Sequence, residues 1–284
     1  MLIKFYGVRG SIASPGENTV RYGGNTSCVF VKTNDKELFI FDAGTGIRKL
    51  GDELSELASN NPLASKAINL LFSHYHWDHI QGFPFFQLAY RSDQEINLLA
   101  AHLGEQNAHS VLTQMTDPHF PVPSENLKAK VNVLSMENEA LIIGTNIIKT
   151  QSLNHPGGGS AYRIDSEEGS MAYVTDNELF PPNQPATYYD QWVKYLKGVD
   201  YLIHDAMYLD HEKERIHGWG HSLISQTLQL AADAEIKNLI LFHHDPSRTD
   251  DQLDEIEINA KAWMLKNSPQ CQVSVAKEGD EYRL

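Results

Sequence analysis

The run Leu71-Phe-Ser-His-Tyr-His-Trp-Asp-His79 places His74, His76, Asp78 and His79 within six positions, directly behind the apolar, strand-like stretch Ile68 to Phe72. Imidazole and carboxylate are both ligands that first-row divalent metals favour. Residues two apart on an extended chain point to the same side, so His74 and His76 address one point. Asp78 and His79 come where the chain can begin a helix, which turns them toward a neighbouring point. Unpaired imidazoles at this density have no packing purpose. A chain with this run must therefore fold so that one short loop can feed two metal ions.

The rest of the composition narrows the class. At 284 residues with 41% hydrophobic content, the chain fits one large domain over 1–284 with a sizeable core. No apolar run reaches the roughly 18 residues that span a membrane, and no membrane partner is expected. The start, Met1-Leu-Ile-Lys-Phe-Tyr-Gly7, has no basic region followed by an apolar stretch. It reads as a first strand rather than a signal peptide. Cys28 and Cys271 fall in no metal-ligand spacing, so free buried thiols in a reducing cytoplasm are expected. With 23 Lys and Arg against 37 Asp and Glu, the formal charge is -14. Extended nucleic acids bind through many basic side chains, so such a partner is not expected. A single phosphodiester can still be held where metal ions supply positive charge locally.

Strand-like runs recur at Ser27 to Lys32, Leu38 to Phe41, Ile68 to Phe72, Ile96 to Ala100, Ile147 to Leu153, Met171 to Val174, Tyr201 to Ile203, Leu239 to Phe242 and Val273 to Ala276. Helical periodicity links Ile47, Leu50, Leu54 and Leu57, then Leu223, Thr227, Leu230 and Ala234. Thr249 to Lys266 opens on Asp250 and Asp251 and closes on a lysine, which suits the helix dipole. Strands and helices interspersed throughout argue for an α/β layered architecture. His74, Asp176, Asp205 and His243 each fall at or just past a strand end, where residues can converge along one edge of a sheet assembly.

Ordered motifs along nearly the whole chain carry a resemblance. They are Gly7-Val-Arg-Gly-Ser11, Gly23-Gly-Asn-Thr-Ser-Cys28, Phe41-Asp-Ala-Gly-Thr-Gly46, the histidine-rich loop, Asn154-His-Pro-Gly-Gly158, Tyr173-Val-Thr-Asp176, Ile203-His-Asp-Ala206, Gly220-His-Ser-Leu223 and Leu241-Phe-His-His-Asp245. The chain resembles the metallo-β-lactamase superfamily and, within it, the ribonuclease Z-like phosphodiesterases. That resemblance implies a four-layered αβ/βα sandwich with two metals at one edge of the paired sheets. His74, His76 and His155 would hold one ion, Asp78, His79 and His243 the other, and Asp176 would bridge them. Adjacent residues on an extended chain face opposite ways. Only one of His243 and His244 is then expected to reach an ion, and the family pattern favours His243. Asp42 would orient a ligand histidine. Ser11, Asn25, Ser27, Thr45 and His244 would lie near the substrate, although turn chemistry explains the loop residues equally well. His102, His109, His119, His204, His211 and His217 show no ligand pattern, and His204 reads as a core histidine.

The resemblance also implies the chemistry. Two divalent ions per chain, Zn2+ suiting the nitrogen and oxygen donors best and Mn2+, Fe2+, Co2+ or Ni2+ able to replace it, would make hydroxide available near neutral pH. Attack on phosphorus by that hydroxide, with Asp78 in the metal shell, expels an alkoxide. His221, oriented by Asp205, would protonate it. Alternatively, His221 and Ser222 could merely cap the following helix. Ribonuclease Z proper carries a long arm that grips tRNA between the third histidine motif and the bridging aspartate. Here only 21 positions separate His155 from Asp176. The expectation is a cytoplasmic, homodimeric hydrolase of small phosphodiesters, cyclic nucleotides first among them. The rivals are a tRNA 3′-end endonuclease and a thioester or lactone hydrolase, which would have no need of the Asp205 and His221 pair.

Overall fold

The strand-like runs assemble into two sheets. The computed structural model describes residues 1–60, 66–101, 104–116, 120–136 and 140–284. The first sheet holds β1 (Leu2–Gly7), β2 (Cys28–Lys32), β3 (Leu38–Phe41), β4 (Ile68–Phe72), β5 (Glu95–Ala100) and β6 (Lys130–Ser135). The second holds β7 (Ala140–Ile143), β8 (Asn146–Ser152), β9 (Ser160–Ser166), β10 (Gly169–Val174), β11 (Tyr201–Asp205), β12 (Asn238–Phe242) and β13 (Gln272–Val275). A last strand, β14 (Glu281–Arg283), returns to pair with β1. The orders are β14-β1-β2-β3-β4-β5-β6 and β7-β8-β9-β10-β11-β12-β13. Both run three antiparallel pairings and then three parallel ones. No sequence repeat announces this repeated ladder.

The helices are α1 (Ile47–Asn60), α2 (Trp77–Ile80), α3 (Gly104–Thr113), α4 (Tyr189–Leu196), α5 (Lys213–Ile216), α6 (Ile224–Asp233) and α7 (Asp250–Asn267). Their burial gives the four expected layers. One core, with Ile47, Leu50 and Val111, packs α1 and α3 on the first sheet. A second, with Phe5, Phe41, Tyr162, Tyr173 and Phe242, lies between the sheets. The third packs α4, α6 and α7 on the second sheet through Trp192, Leu228 and Leu253.

The central strands read as continuous apolar runs because both faces are covered. On β12, Ile240 and Phe242 face the inter-sheet core while Leu239 and Leu241 face the helices. Each such fully buried side chain contributes about 2 kcal/mol, so the strand ends that carry functional groups rest on firm supports. The α1 stripe is shorter than its periodicity suggests: Ile47 and Leu50 are buried, but Leu57 is 62% exposed. Among the described residues, no helix is long and apolar enough to cross a membrane.

Candidate metal centre

The C-terminal strand ends bring the predicted ligands together. His74 and His76 leave β4 extended, and α2 starts at Trp77 with His76 in the N-cap position, turning Asp78 and His79 inward. His155 follows β8, Asp176 follows β10 and His243 follows β12. Donor atoms of His74, His76 and His155 lie within 4.8 Å of one another, as do those of Asp78, His79, Asp176 and His243. Asp176 faces both groups. Its Oδ1 is 3.8 Å from His74 Nε2, and its Oδ2 is 3.2 Å from both His79 Nε2 and His243 Nε2. Asp176 and His243 hold φ of 50° and 60°, a left-handed backbone that costs roughly 1–2 kcal/mol per residue.

Hydrogen bonds on the outer side fix which ring nitrogen faces the centre. His79 Nδ1 donates to Asp42 Oδ2 at 2.8 Å, His74 Nδ1 to Ser73 Oγ at 3.1 Å, and His155 Nδ1 to the Gly220 carbonyl at 3.1 Å. Each Nε2 lone pair is thereby aimed inward. His79 Nε2 then points at carboxylate oxygens of Asp78 and Asp176 only 3.1 and 3.2 Å away. His155 Nε2 meets His76 Nδ1 at 3.1 Å. Buried His74 Nε2 and His79 Nε2 have no hydrogen-bond partner. Lone pairs converging on lone pairs are repulsive unless cations stand between them, so this donor set fits divalent metal ions.

The electrostatics agree. Burial holds His74 well below its ordinary pKa and lowers His155 to about 4, the neutral form a metal requires. His79 differs: burial acts to lower it, but Asp78, Asp176 and Asp42 outweigh that and push it up, so in the absence of metal their negative charge draws a proton to the place a cation would take. Asp176, although burial opposes ionisation, is held well down by His243, His79 and His74.

Asp42 is fully buried and also accepts from Ser73 N, Ser73 Oγ and Tyr173 OH, at 2.7, 2.8 and 2.8 Å. It sits in the orienting position read for it. Asp205 ends β11 and meets His221 Nδ1 at 2.7 Å, with further support from the Met207 and Ser222 amides. The His221 ring stacks on His243 at 5.1 Å and meets His155 edge-on at 5.4 Å, so it flanks both clusters. Neither His221 nor Ser222 caps α6. Leu223 occupies the N-cap position, and Ser222 donates to the Asn177 carbonyl.

The adjacent histidines part company. The Val8–Gly10 segment brackets the His244 backbone, through His244 N to Val8 O and Gly10 N to His244 O, both at 3.0 Å. A Cβ on Gly10 would lie 2.4 Å from the His243 ring, so only glycine leaves room for that ring. His244 is turned away: 3% exposed, donating Nε2–H to the Ala276 carbonyl and packed on Tyr22. Its expected place near the substrate is therefore corrected. Asn25 and Thr45 are likewise committed, Asn25 to Glu278 and Thr45 to Asn25 and Thr26; they brace loops. Ser27 is fully buried, which removes it from substrate contact. Ser11 does reach the site, but through its backbone amide, 2.8 Å from Asp78 Oδ2.

His204 is a buried strand residue whose Nδ1 donates to the Asp205 carbonyl. His102 and His119 lie outside the described residues. Sequence reading missed Ser73, Tyr173 and Glu178. Buried Glu178 accepts from the Gly218 and Gly220 amides at 3.0 Å and so hangs the loop that delivers His221.

A family model described as the Beta-lactamase superfamily domain matches residues 38–244. The chain belongs to that superfamily. It is a metallo-β-lactamase-fold hydrolase similar to ribonuclease Z. Ribonuclease Z of Prochlorococcus marinus (strain NATL1A) is 23% identical over 274 residues, covering 79% of this chain and 83% of that protein. Ribonuclease Z of Halalkalibacterium halodurans is 39% identical over 69 residues, a local match spanning 24% of this chain and 22% of that protein. Among solved structures, the metallo-beta-lactamase fold protein YhfI from Bacillus subtilis matches at TM-score 0.68 and 20% identity, covering 99% of both chains. A diphosphatase of the PhnP family matches at TM-score 0.65 and 17% identity, covering 100% of this chain and 97% of that one. These two likenesses carry the fold.

Proposed function

We propose that this protein is a dinuclear metal-dependent phosphodiesterase acting on small diesters, cyclic nucleotides first among them. The observation that carries the reading is the Asp205–His221 pair, joined at 2.7 Å beside the two ligand clusters. His74, His76 and His155 would hold one ion and Asp78, His79 and His243 the other, with Asp176 between them. Zn2+ suits these donors best. When bound, the ions lower the pKa of water and neutralise charge on phosphate oxygens.

The chain's own residues handle the leaving group. Burial acts to discharge His221, but Asp205, Asp176 and Asp78 favour its charged form and raise it to about 9. Asp205, which engages Nδ1 at 2.7 Å, is the first of these charges and favours the imidazolium, leaving Nε2–H to donate to a departing alkoxide. A thioester or lactone hydrolase would have no such need.

Small substrates are supported by what joins His155 to Asp176. The interval is a β9–β10 hairpin, paired from Ser166–Gly169 and closed by Glu167 and Glu168. The net charge of -14 points the same way. The curated relatives favour a second reading, tRNA 3′-end processing, because both carry the name ribonuclease Z. A cytoplasmic homodimer completes the proposal, with sedimentation testing the assembly.

Protein loaded with Zn2+ or Mn2+ should hydrolyse bis(p-nitrophenyl) phosphate. His221→Ala should keep its metals yet lose about 10²–10⁴-fold on alkyl leaving groups, with a smaller loss on p-nitrophenolate. Equal rates for parent and His221→Ala on an alkyl diester would remove the proton-donor role. Cleavage of precursor tRNA in preference to cyclic nucleotides would select the second reading.

A further inference from the structure

Between His155 and the loop that carries His221 opens a cleft of about 330 Å³. Its lining includes the segment Pro181-Pro-Asn-Gln-Pro-Ala186 together with Pro156 and Gly158. The segment is pinned at both ends. Thr187 N donates to Asn154 Oδ1 at 2.9 Å and Asn154 Nδ2 to Thr187 O at 2.8 Å, while Glu178 N donates to Asn154 O at 3.0 Å. Prolines fix φ, so this segment is preformed and needs little ordering when a ligand enters.

The lining chemistry is selective. None of the described lining residues is Lys or Arg, and the one carboxylate, Glu178, is occupied by backbone amides. A second phosphate would meet no cation there and one buried negative charge. Asn183 and Gln184, by contrast, are exposed, and their side-chain amides make no hydrogen bond with any described residue. Each amide offers both donors and an acceptor, matching the mixed edge of a nucleobase. The proline rings offer apolar contact to its flat face.

Resting on the phosphodiesterase reading, we infer that this cleft, lined by Pro181–Ala186 and adjoining His155, takes the uncharged nucleoside part of a cyclic mononucleotide and excludes a second phosphate. Cyclic dinucleotides and polynucleotides are then poor substrates, because their next phosphate falls on a surface without cations.

The test uses metal-loaded parent, the double variant Asn183→Ala/Gln184→Ala, and Ala186→Trp, which fills the cleft. Substrates are the four common 3′,5′-cyclic mononucleotides, a cyclic dinucleotide and base-free ethylene phosphate, followed by 31P NMR. KM for cyclic mononucleotides should rise about tenfold in both variants, the equivalent of one or two lost hydrogen bonds. Rates on ethylene phosphate should stay within about twofold. Saturation-transfer NMR on chelator-treated protein should show nucleoside binding to the parent and none to Ala186→Trp. If both variants match the parent on cyclic mononucleotides, or if cyclic dinucleotides are hydrolysed as well as they are, the cleft assignment is overturned while the diesterase reading stands. A loaded parent that cleaves no diester overturns that reading instead.

Discussion

Asp42 gathers His79 on α2, Ser73 just past β4 and Tyr173 near the end of β10, and its own φ of 58° is left-handed. Asn tolerates that backbone. Asp42→Asn therefore keeps the shape while setting an amide NH2 against groups that donate. Its affinity for the ion beside His79 should fall about 10–100-fold, read by competition with a chromogenic chelator. Unchanged affinity would mean that the carboxylate does not position the ring. His221 gives a pH signature. Its folded pKa of about 9 exceeds the ordinary 6.5, so the folded state holds the extra proton. The resulting stability is complete below pH 6.5 and is lost as pH rises through 9. In urea melts of chelator-treated protein, the parent should lose on the order of 3 kcal/mol more than His221→Ala over that window; parallel pH profiles would contradict this. The ligands themselves were legible because their chemistry is concentrated in one run and at strand ends. Tyr173 and Glu178 were not, because nothing in a local sequence window tells which distant groups meet the Asp42 carboxylate or the Gly218 and Gly220 amides.

Two of the ligand histidines, His243 and His155, are held by a close backbone approach, at Gly10 and Gly220. At Gly220 φ is 87°, and a Cβ would lie 2.1 Å from His155 Nδ1. Gly220→Ala would strain the backbone and displace His155 together with the loop that precedes His221. Elemental analysis should show the variant falling toward one ion per chain, with the ion beside His155 lost. Two ions retained at parental affinity would show that the loop yields without cost. The central strands β3 and β4 were readable to the residue, since burial on both faces demands an unbroken apolar run. The strands β6, β7 and β14 were not. Their exposed faces carry polar residues such as Lys130 and Asn132, and β14 spans only Glu281–Arg283. Leu57 shows the converse, an apolar side chain in correct period that the helix leaves in solvent.

At the scale of the whole molecule, two sheets with the same ladder pack face to face, and each half brings an aspartate in left-handed conformation to the shared edge, Asp42 after β3 and Asp176 after β10. Ligands from both halves must meet for the ions to bind, so binding is coupled to folding. Chelation should lower the melting temperature, since ligand at 1,000 times its Kd adds about 4 kcal/mol. An unchanged melting temperature would separate the site from the fold. The layer order was legible from alternating strands and helices, whereas the repeated ladder leaves no repeat in sequence. The central claim is that Asp176 joins two ions in one centre, and the most direct measurement is metal content with diesterase activity for parent and Asp176→Ala side by side. The parent should hold two ions per chain and turn over bis(p-nitrophenyl) phosphate, and Asp176→Ala should lose both metal and turnover. A parent that takes up no metal after reloading, or an Asp176→Ala variant that retains both ions and full activity, would contradict the claim.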